Sequence, residues 1–147
     1  MMSEHFDEYS TNLQWVLQQA DHIVSVLPST KATRGLLGTD QFRWCSTENG
    51  GKCPVFLNVG RGDVVTSSAA ILQALDDDCL SAAILDVVEQ EPLPSDSPLW
   101  THPRVTISPH VSGLTRATDV PDLVAENYRR YLAKEPLQHV VDWDKEY

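Results

Sequence analysis

Basic residues are scarce in this chain: 11 Lys and Arg stand against 21 Asp and Glu, a formal net charge of −10 at pH 7 with a pI ≈ 4.7. A balance of that sign repels phosphate backbones and anionic lipid, which argues against nucleic acid and membrane surfaces as partners. Cysteine is sparse and odd in number, Cys45, Cys53 and Cys79, with no C-x-x-C pair. Such spacing makes neither a disulfide framework nor a zinc signature, and it fits a reducing, cytoplasmic compartment. Cys45 and Cys53 could oxidise together, but buried or incidental thiols are the plainer expectation. No apolar run reaches membrane-spanning length, and the start lacks the basic-then-apolar order of a signal peptide. Repeats and low-complexity tracts are also missing, so a second composition regime is not expected.

What is present is the composition of a globular protein. The chain has 147 residues, 41% hydrophobic and 22% charged, enough for one domain with a sizeable core. Residues 1–10 are polar and acidic and are expected to be loose. Leu13, Val16, Leu17 and Ala20 then recur at helical spacing, with Ser10 or Thr11 as cap. Residues 23–27 form an apolar strand closed by Pro28, residues 33–37 a helical turn, and Thr39 caps a short helix through Phe42 and Trp44. A surface loop at 48–54 leads to a second strand, Val55-Phe56-Leu57. Thr66 is the expected cap of a helix whose apolar face is Ala70, Ile71, Ala74 and Leu75, and the Asp76-Asp77-Asp78 run after it reads as a solvated turn. Further strands are expected at 82–87 and 105–107, separated by the proline-rich loop EQEPLPSDSPLWTHP. The last third reads as one helix over 115–134, with Pro121 marking a kink or its start and Leu123, Val124, Asn127, Tyr128, Tyr131 and Leu132 on one side.

Buried strands alternating with helices predict an α/β fold with a parallel, doubly wound sheet. All strand exits of such a sheet open on one crevice, where ligands bind. The polar residues just past the exits are Ser29 and Thr30, Arg61, Asp86 and His110. The stretch NVGRGDVV, residues 58–65, organises the rest: it follows the second strand and holds Arg61 between Gly60 and Gly62. Glycines tolerate positive φ and let a backbone approach a ligand closely. The guanidinium fork suits a carboxylate or a carbonyl oxygen. His110 is placed to act as a proton donor, and Glu91 in the preceding loop to hold one imidazole nitrogen, as a carboxylate orients the histidine of a serine protease. Arg61, Glu91 and His110 together suit reduction of a 2-oxo acid by hydride from a nicotinamide. Each also has an ordinary structural alternative as a surface arginine, a solvated glutamate and a turn histidine.

Four strings carry a family resemblance: ADHIVSVLPSTKATRGLLG, FLNVGRGDVV, AAILDVVEQEPLPSDSPLW and HPRVTISPHVSGLTRATD. In this order they resemble the C-terminal, NAD-binding portion of the D-isomer-specific 2-hydroxyacid dehydrogenases, from about Phe6 to the end. The closing VVDWDKEY is similar to the glyoxylate/hydroxypyruvate reductase branch, with Glu146 where that branch has glycine. The resemblance implies hydride transfer from NAD or NADP, with no metal, to a glyoxylate- or hydroxypyruvate-like 2-oxo acid. It makes Arg61 the substrate-binding arginine, His110 the acid/base and Glu91 its carboxylate partner. It places Asp86 beside the nicotinamide carboxamide, and has Leu27, Pro28, Ser29, Val59, Gly60 and Arg61 line the cofactor together with His110 and Gly113. Trp100 is expected near the site or as a plain core aromatic.

The family's G-x-G-x-x-G fingerprint is not in this sequence. The nearest string, residues 60–65, has valine at its last position and its helix only begins after Thr66, so it is rejected as a pyrophosphate loop. The expectation is therefore a partial, Rossmann-like doubly wound sheet lacking its first βαβ unit, with a long C-terminal helix. Residues 1–10 would be a flexible N-terminus, 11–114 the C-terminal part of the dinucleotide-binding domain, and 115–147 a helix and tail returning toward a substrate domain. Low cofactor affinity is expected of a chain without a phosphate wall. The alternatives are a non-catalytic dinucleotide-sensing or protein-binding module and an inactive truncated isoform, with a homodimer left open.

Overall fold

The computed structural model describes residues 7–113 and 116–146, in two compact units, Met1–Pro109 and His110–Tyr147. Most of the expected loose start, the expected helix start at Thr115 and the terminal Tyr147 lie outside the described residues.

The first unit is built on four parallel strands in the order β1 (His22–Ser25), β2 (Val55–Asn58), β3 (Ala82–Leu85) and β4 (Val105–Ile107). Three of them are shorter or longer than the apolar runs that predict them. β1 stops at Ser25 and β3 at Leu85, because the chain beyond each turns into the loops at the sheet's carboxyl end. β2 runs on through the polar Asn58, since its register against Ser25 and Leu85 continues to that residue.

Helices α1 (Leu13–Gln19), α2 (Thr39–Arg43) and α3 (Ser68–Asp76) pack on the face made by Phe56, Ala83 and Leu85. Leu17, Phe42, Ile71 and Leu75 interdigitate there, and Phe42 meets Phe56 edge to face with ring centroids 5.4 Å apart. The opposite row, Val24, Leu57 and Ile84 in register, leaves Val24 56% and Ile84 38% exposed.

Capping departs from expectation by one residue or more. Asn12, not Ser10 or Thr11, caps α1 by accepting from Trp15 N, and Ser67, not Thr66, caps α3 by accepting from Ala70 N. Gly38 stands at the N-cap of α2, with its N–H bound by the Gln41 side chain at 3.0 Å, so Thr39 is already inside the helix. The Asp76–Asp78 run is more than a solvated turn. Asp76 lies 3.5 Å from the His102 ring, and Arg104 pairs with Asp78 at 2.8 Å while also donating to the Leu75 carbonyl. Arg104 thereby closes the C-terminus of α3, as a cation at that end of a helix should.

The second unit carries α4 (Asp119–Ala133), with Pro121 in its first turn, where a missing N–H costs nothing. Lys134 ends it in the left-handed region at φ 57°. Asn127 exchanges hydrogen bonds with Gln138, its Oδ1 accepting the backbone N–H at 2.8 Å, so the tail folds back along the helix. Glu126 pairs with Arg129 at 2.6 Å and Arg130 at 2.7 Å, and the Arg130 hydrogen bond is the main reason its carboxyl titrates below the usual range. Leu123, Val124, Tyr128, Tyr131 and Leu132 are all exposed.

Candidate active site

Three consecutive strands end in buried polar side chains. Ser25 closes β1 at 5% exposure, Asn58 closes β2 at 1%, and Asp86 follows β3 at 4%. Removing such groups from water is unfavourable unless they gain partners, so their gathering at one end of the sheet marks that end as built for a purpose. The ladder continues past the strands there: Val59 N donates to Ser25 O at 3.0 Å, Asp86 N to Asn58 O at 2.9 Å and Ser108 N to Leu85 O at 3.0 Å.

Arg61 sits on the turn after β2, exposed, with Nη1 donating to the Gly60 carbonyl at 2.8 Å. The two glycines beside it serve differently from the sequence-based expectation. Neither has a positive φ, and what each lacks is a Cβ that its own chain would strike. A Cβ on Gly60 would come within 2.7 Å of the Leu27 carbonyl oxygen and 2.8 Å of its nitrogen. On Gly62 it would lie 1.9 Å from the Val88 carbonyl oxygen. The Arg61 turn is thus wedged between the segment after β1 and the loop that carries Glu91. Real Cβ atoms do not approach backbone this closely, so only glycine fits at either position.

Each neighbouring segment is braced in turn. The Ser29 hydroxyl donates to Asp63 Oδ2 at 2.5 Å and accepts from Arg34 Nε at 2.9 Å, tying residues 27–29 to the 3₁₀ turn Gly62–Val64. Leu27 is half-buried, and Pro28 and Val26 are exposed apolar surface. Glu91 is exposed, and its Oε1 accepts the Val88 N–H at 3.1 Å, which fixes the carboxylate against its own loop. Asp86 accepts from the Ser108 hydroxyl, a residue the sequence reading passed over although it directly follows β4. Trp100 is not a core aromatic: it is 53% exposed, with Nε1 donating to the Pro94 carbonyl at 2.8 Å.

The first unit therefore brings together Leu27, Pro28, Ser29, Val59, Gly60 and Arg61, and holds Asp86 and Glu91 in the segment that leaves the neighbouring strand β3. His110 and Gly113 belong to the second unit, where His110 stands in the left-handed region at φ 54°. That region is uncommon for a residue with a Cβ, though histidine is among the side chains that enter it more readily. The side-chain types at these exits are compatible with a nicotinamide: apolar surface at 26–28 and an acceptor carboxylate at Asp86 are groups of the kind a carboxamide-bearing ring uses.

Comparison with known proteins gives the same direction. Residues 2–112 match the family model described as D-isomer specific 2-hydroxyacid dehydrogenase, NAD binding domain. Glyoxylate/hydroxypyruvate reductase B of an Enterobacter strain is 41% identical over 115 residues, covering 78% of this chain and 34% of that protein. An NADPH-dependent glyoxylate/hydroxypyruvate reductase from Sinorhizobium meliloti, solved with NADP and sulfate, is 36% identical with a TM-score of 0.82 over 92% of this chain and 42% of that one. A protein from Rhizobium etli described as a probable 2-hydroxyacid dehydrogenase, solved with NADP, HEPES and L(+)-tartaric acid, superposes over all of this chain and 46% of its own length, with a TM-score of 0.85 and 32% identity. The chain spans less than half the length of each of these relatives.

Proposed function

From the premise that this chain belongs to the D-isomer specific 2-hydroxyacid dehydrogenases, through their NAD-binding domain, we propose that it serves NAD(P)-dependent reduction of a small 2-oxo acid of the glyoxylate or hydroxypyruvate type. The observation that carries this reading is the Arg61 turn: an exposed guanidinium at the carboxyl end of a central parallel strand, with its backbone wedged on both sides.

Arg61 binds the substrate carboxylate through its fork of donors and polarises the adjacent carbonyl. Its positive charge draws an anion to an otherwise acidic protein. A bound nicotinamide dinucleotide supplies the hydride that reduces the carbonyl carbon. As negative charge develops on the carbonyl oxygen, the protonated His110 gives that oxygen its proton, and the product leaves as the 2-hydroxy acid. Glu91 is a positioning residue in this scheme, stabilising the charged imidazole and fixing its orientation. With the dinucleotide bound, Asp86 would accept from the carboxamide, and the backbone at 27–29 and 59–61, with Gly113, would line the ring.

The test is oxidation of the reduced nicotinamide, followed by absorbance with glyoxylate or hydroxypyruvate, in wild type and Arg61→Lys. A lysine keeps the charge and loses the fork, so kcat/KM is expected to fall at least about a hundredfold. Turnover that ignores the substitution contradicts the reading.

One observation favours a second reading, a dinucleotide-sensing or protein-binding module. Among the described residues β1 ends the sheet and pairs only with β2, with Val24 56% and Val26 70% exposed beside it. An apolar edge of this kind can take a strand from a partner, including a second copy. Under that reading, partner binding survives replacement of Arg61, Glu91 and His110.

A further inference from the structure

Among the described residues, Asn58 is the most deeply buried polar side chain, 1% exposed at the end of β2. A primary amide in that position needs both ends satisfied. Both of its bonds go to one short stretch of chain. Oδ1 accepts the Gly60 N–H at 3.3 Å, and Nδ2 donates to the Arg61 carbonyl at 3.0 Å. The Gly60 carbonyl between these groups accepts from Arg61 Nη1 at 2.8 Å. The amide and carbonyl groups of the Gly60–Arg61 stretch are thereby held from the sheet side by Asn58 and from the solvent side by the arginine itself.

A buried asparagine with only a structural duty would be satisfied by any neighbouring backbone. Here the same side chain brackets the residue read as the substrate anchor, from its preceding N–H to its own carbonyl. We propose that Asn58 is a positioning residue for Arg61, which rests on the reading of Arg61 as the carboxylate anchor. It fixes the backbone from which the guanidinium projects, so that an anion meets donors already oriented and little ordering is left to be done on binding. Asn58 touches neither the substrate nor the cofactor in this scheme.

The experiment is NMR of the 147-residue chain, following the Arg61 Nε–H order parameter and amide exchange at Gly60 in wild type and Asn58→Ala. Exchange is referenced to Phe56 and Leu85 on neighbouring strands, which removes the effect of altered global stability. The expected result is a clear drop in Arg61 side-chain order, with Gly60 exchange at least tenfold faster than the reference amides predict. A folded Asn58→Ala chain with Arg61 order and Gly60 protection as in wild type overturns the proposal. If the alanine variant fails to melt cooperatively, Asn58→Ser replaces it. If both fail, the wild type decides: slow exchange of the Asn58 side-chain amide supports the two bonds, and exchange at the rate of an exposed amide overturns them. Reductase turnover that is independent of Arg61 would remove the anchor reading, while the order parameter would still judge what Asn58 does to Arg61.

Discussion

The two ends of the sheet handle polarity in opposite ways. At the amino ends of the strands, charged groups stand in water: Asp21 pairs with Lys52 at 3.3 Å and Asp78 with Arg104 at 2.8 Å, the aspartate side chains being 74% and 80% exposed. At the carboxyl ends, Ser25, Asn58 and Asp86 are withdrawn from solvent; Asn58 is bound to backbone and Asp86 to the Ser108 hydroxyl, while the Ser25 hydroxyl has no hydrogen-bond partner among the described residues. Exposed ion pairs contribute little, because both partners are well solvated when apart. Buried polar groups commit the chain to one geometry, because an unmade bond there has no water to replace it. The end of the sheet proposed to carry the function is therefore distinguished by where polarity is buried, since exposed ion pairs stand at both ends.

The largest test of that contrast is Gly62→Ala. A Cβ placed 1.9 Å from the Val88 carbonyl oxygen must push the Arg61 turn and the Glu91 loop apart. Urea denaturation should show a loss of about 3 kcal/mol or more, the upper end of what overpacking costs. A variant as stable as wild type would mean that the two loops are not wedged together.

Alkaline pH sharpens the comparison next, since the amino end does bury ionisable groups in their neutral form, the thiols of Cys45 and Cys79. The Cys45 thiol is pushed from its ordinary value of 9.0 up to about 12, mainly by burial and then by the neighbouring Cys79 and Cys53. The unfolded thiol ionises first as pH rises, so this contribution to stability is complete below pH 9.0 and is lost on the way to about 12. Cys45→Ala should flatten that part of the stability profile, and an unchanged slope between wild type and variant would contradict it.

Smaller effects separate the ends further. Ser108→Ala takes a hydroxyl donor from buried Asp86 and should cost about 1–2 kcal/mol in the same denaturation assay. Asp78→Ser removes an exposed partner of Arg104 and should cost less than about 1 kcal/mol. If Asp78→Ser proved the more damaging of the two, the contrast between the ends would be inverted.

Much of this arrangement was legible in the sequence, because periodicity and strand length report burial directly. The runs at 55–57 and 105–107 and the alternation with helices led to the parallel sheet, and hence to Arg61 and Asp86 at its exits. The helix caps were read one or more residues away, since Thr66 and Ser67, or Thr11 and Asn12, are nearly equivalent as caps and tertiary geometry selects between them. Arg104 was not foreseen as the partner of Asp78, 26 residues away, because local pattern carries no information on such a pair. The glycines around Arg61 were expected to open the backbone to a ligand, whereas they admit two other segments of the same chain. Asn58 had a visible signal in hindsight: an amide closing an apolar strand run must find partners, and the turn after it offers them.

The most direct measurement is isothermal titration of oxalate, a dianion shaped like the head of a 2-oxo acid, into wild type and Arg61→Gln. The account predicts that wild type binds it, that added salt weakens binding, and that Arg61→Gln loses affinity at least tenfold. Equal affinity in the two proteins, or no binding by a wild-type chain that melts cooperatively, would contradict the assignment of the Arg61 turn as the substrate's carboxylate site.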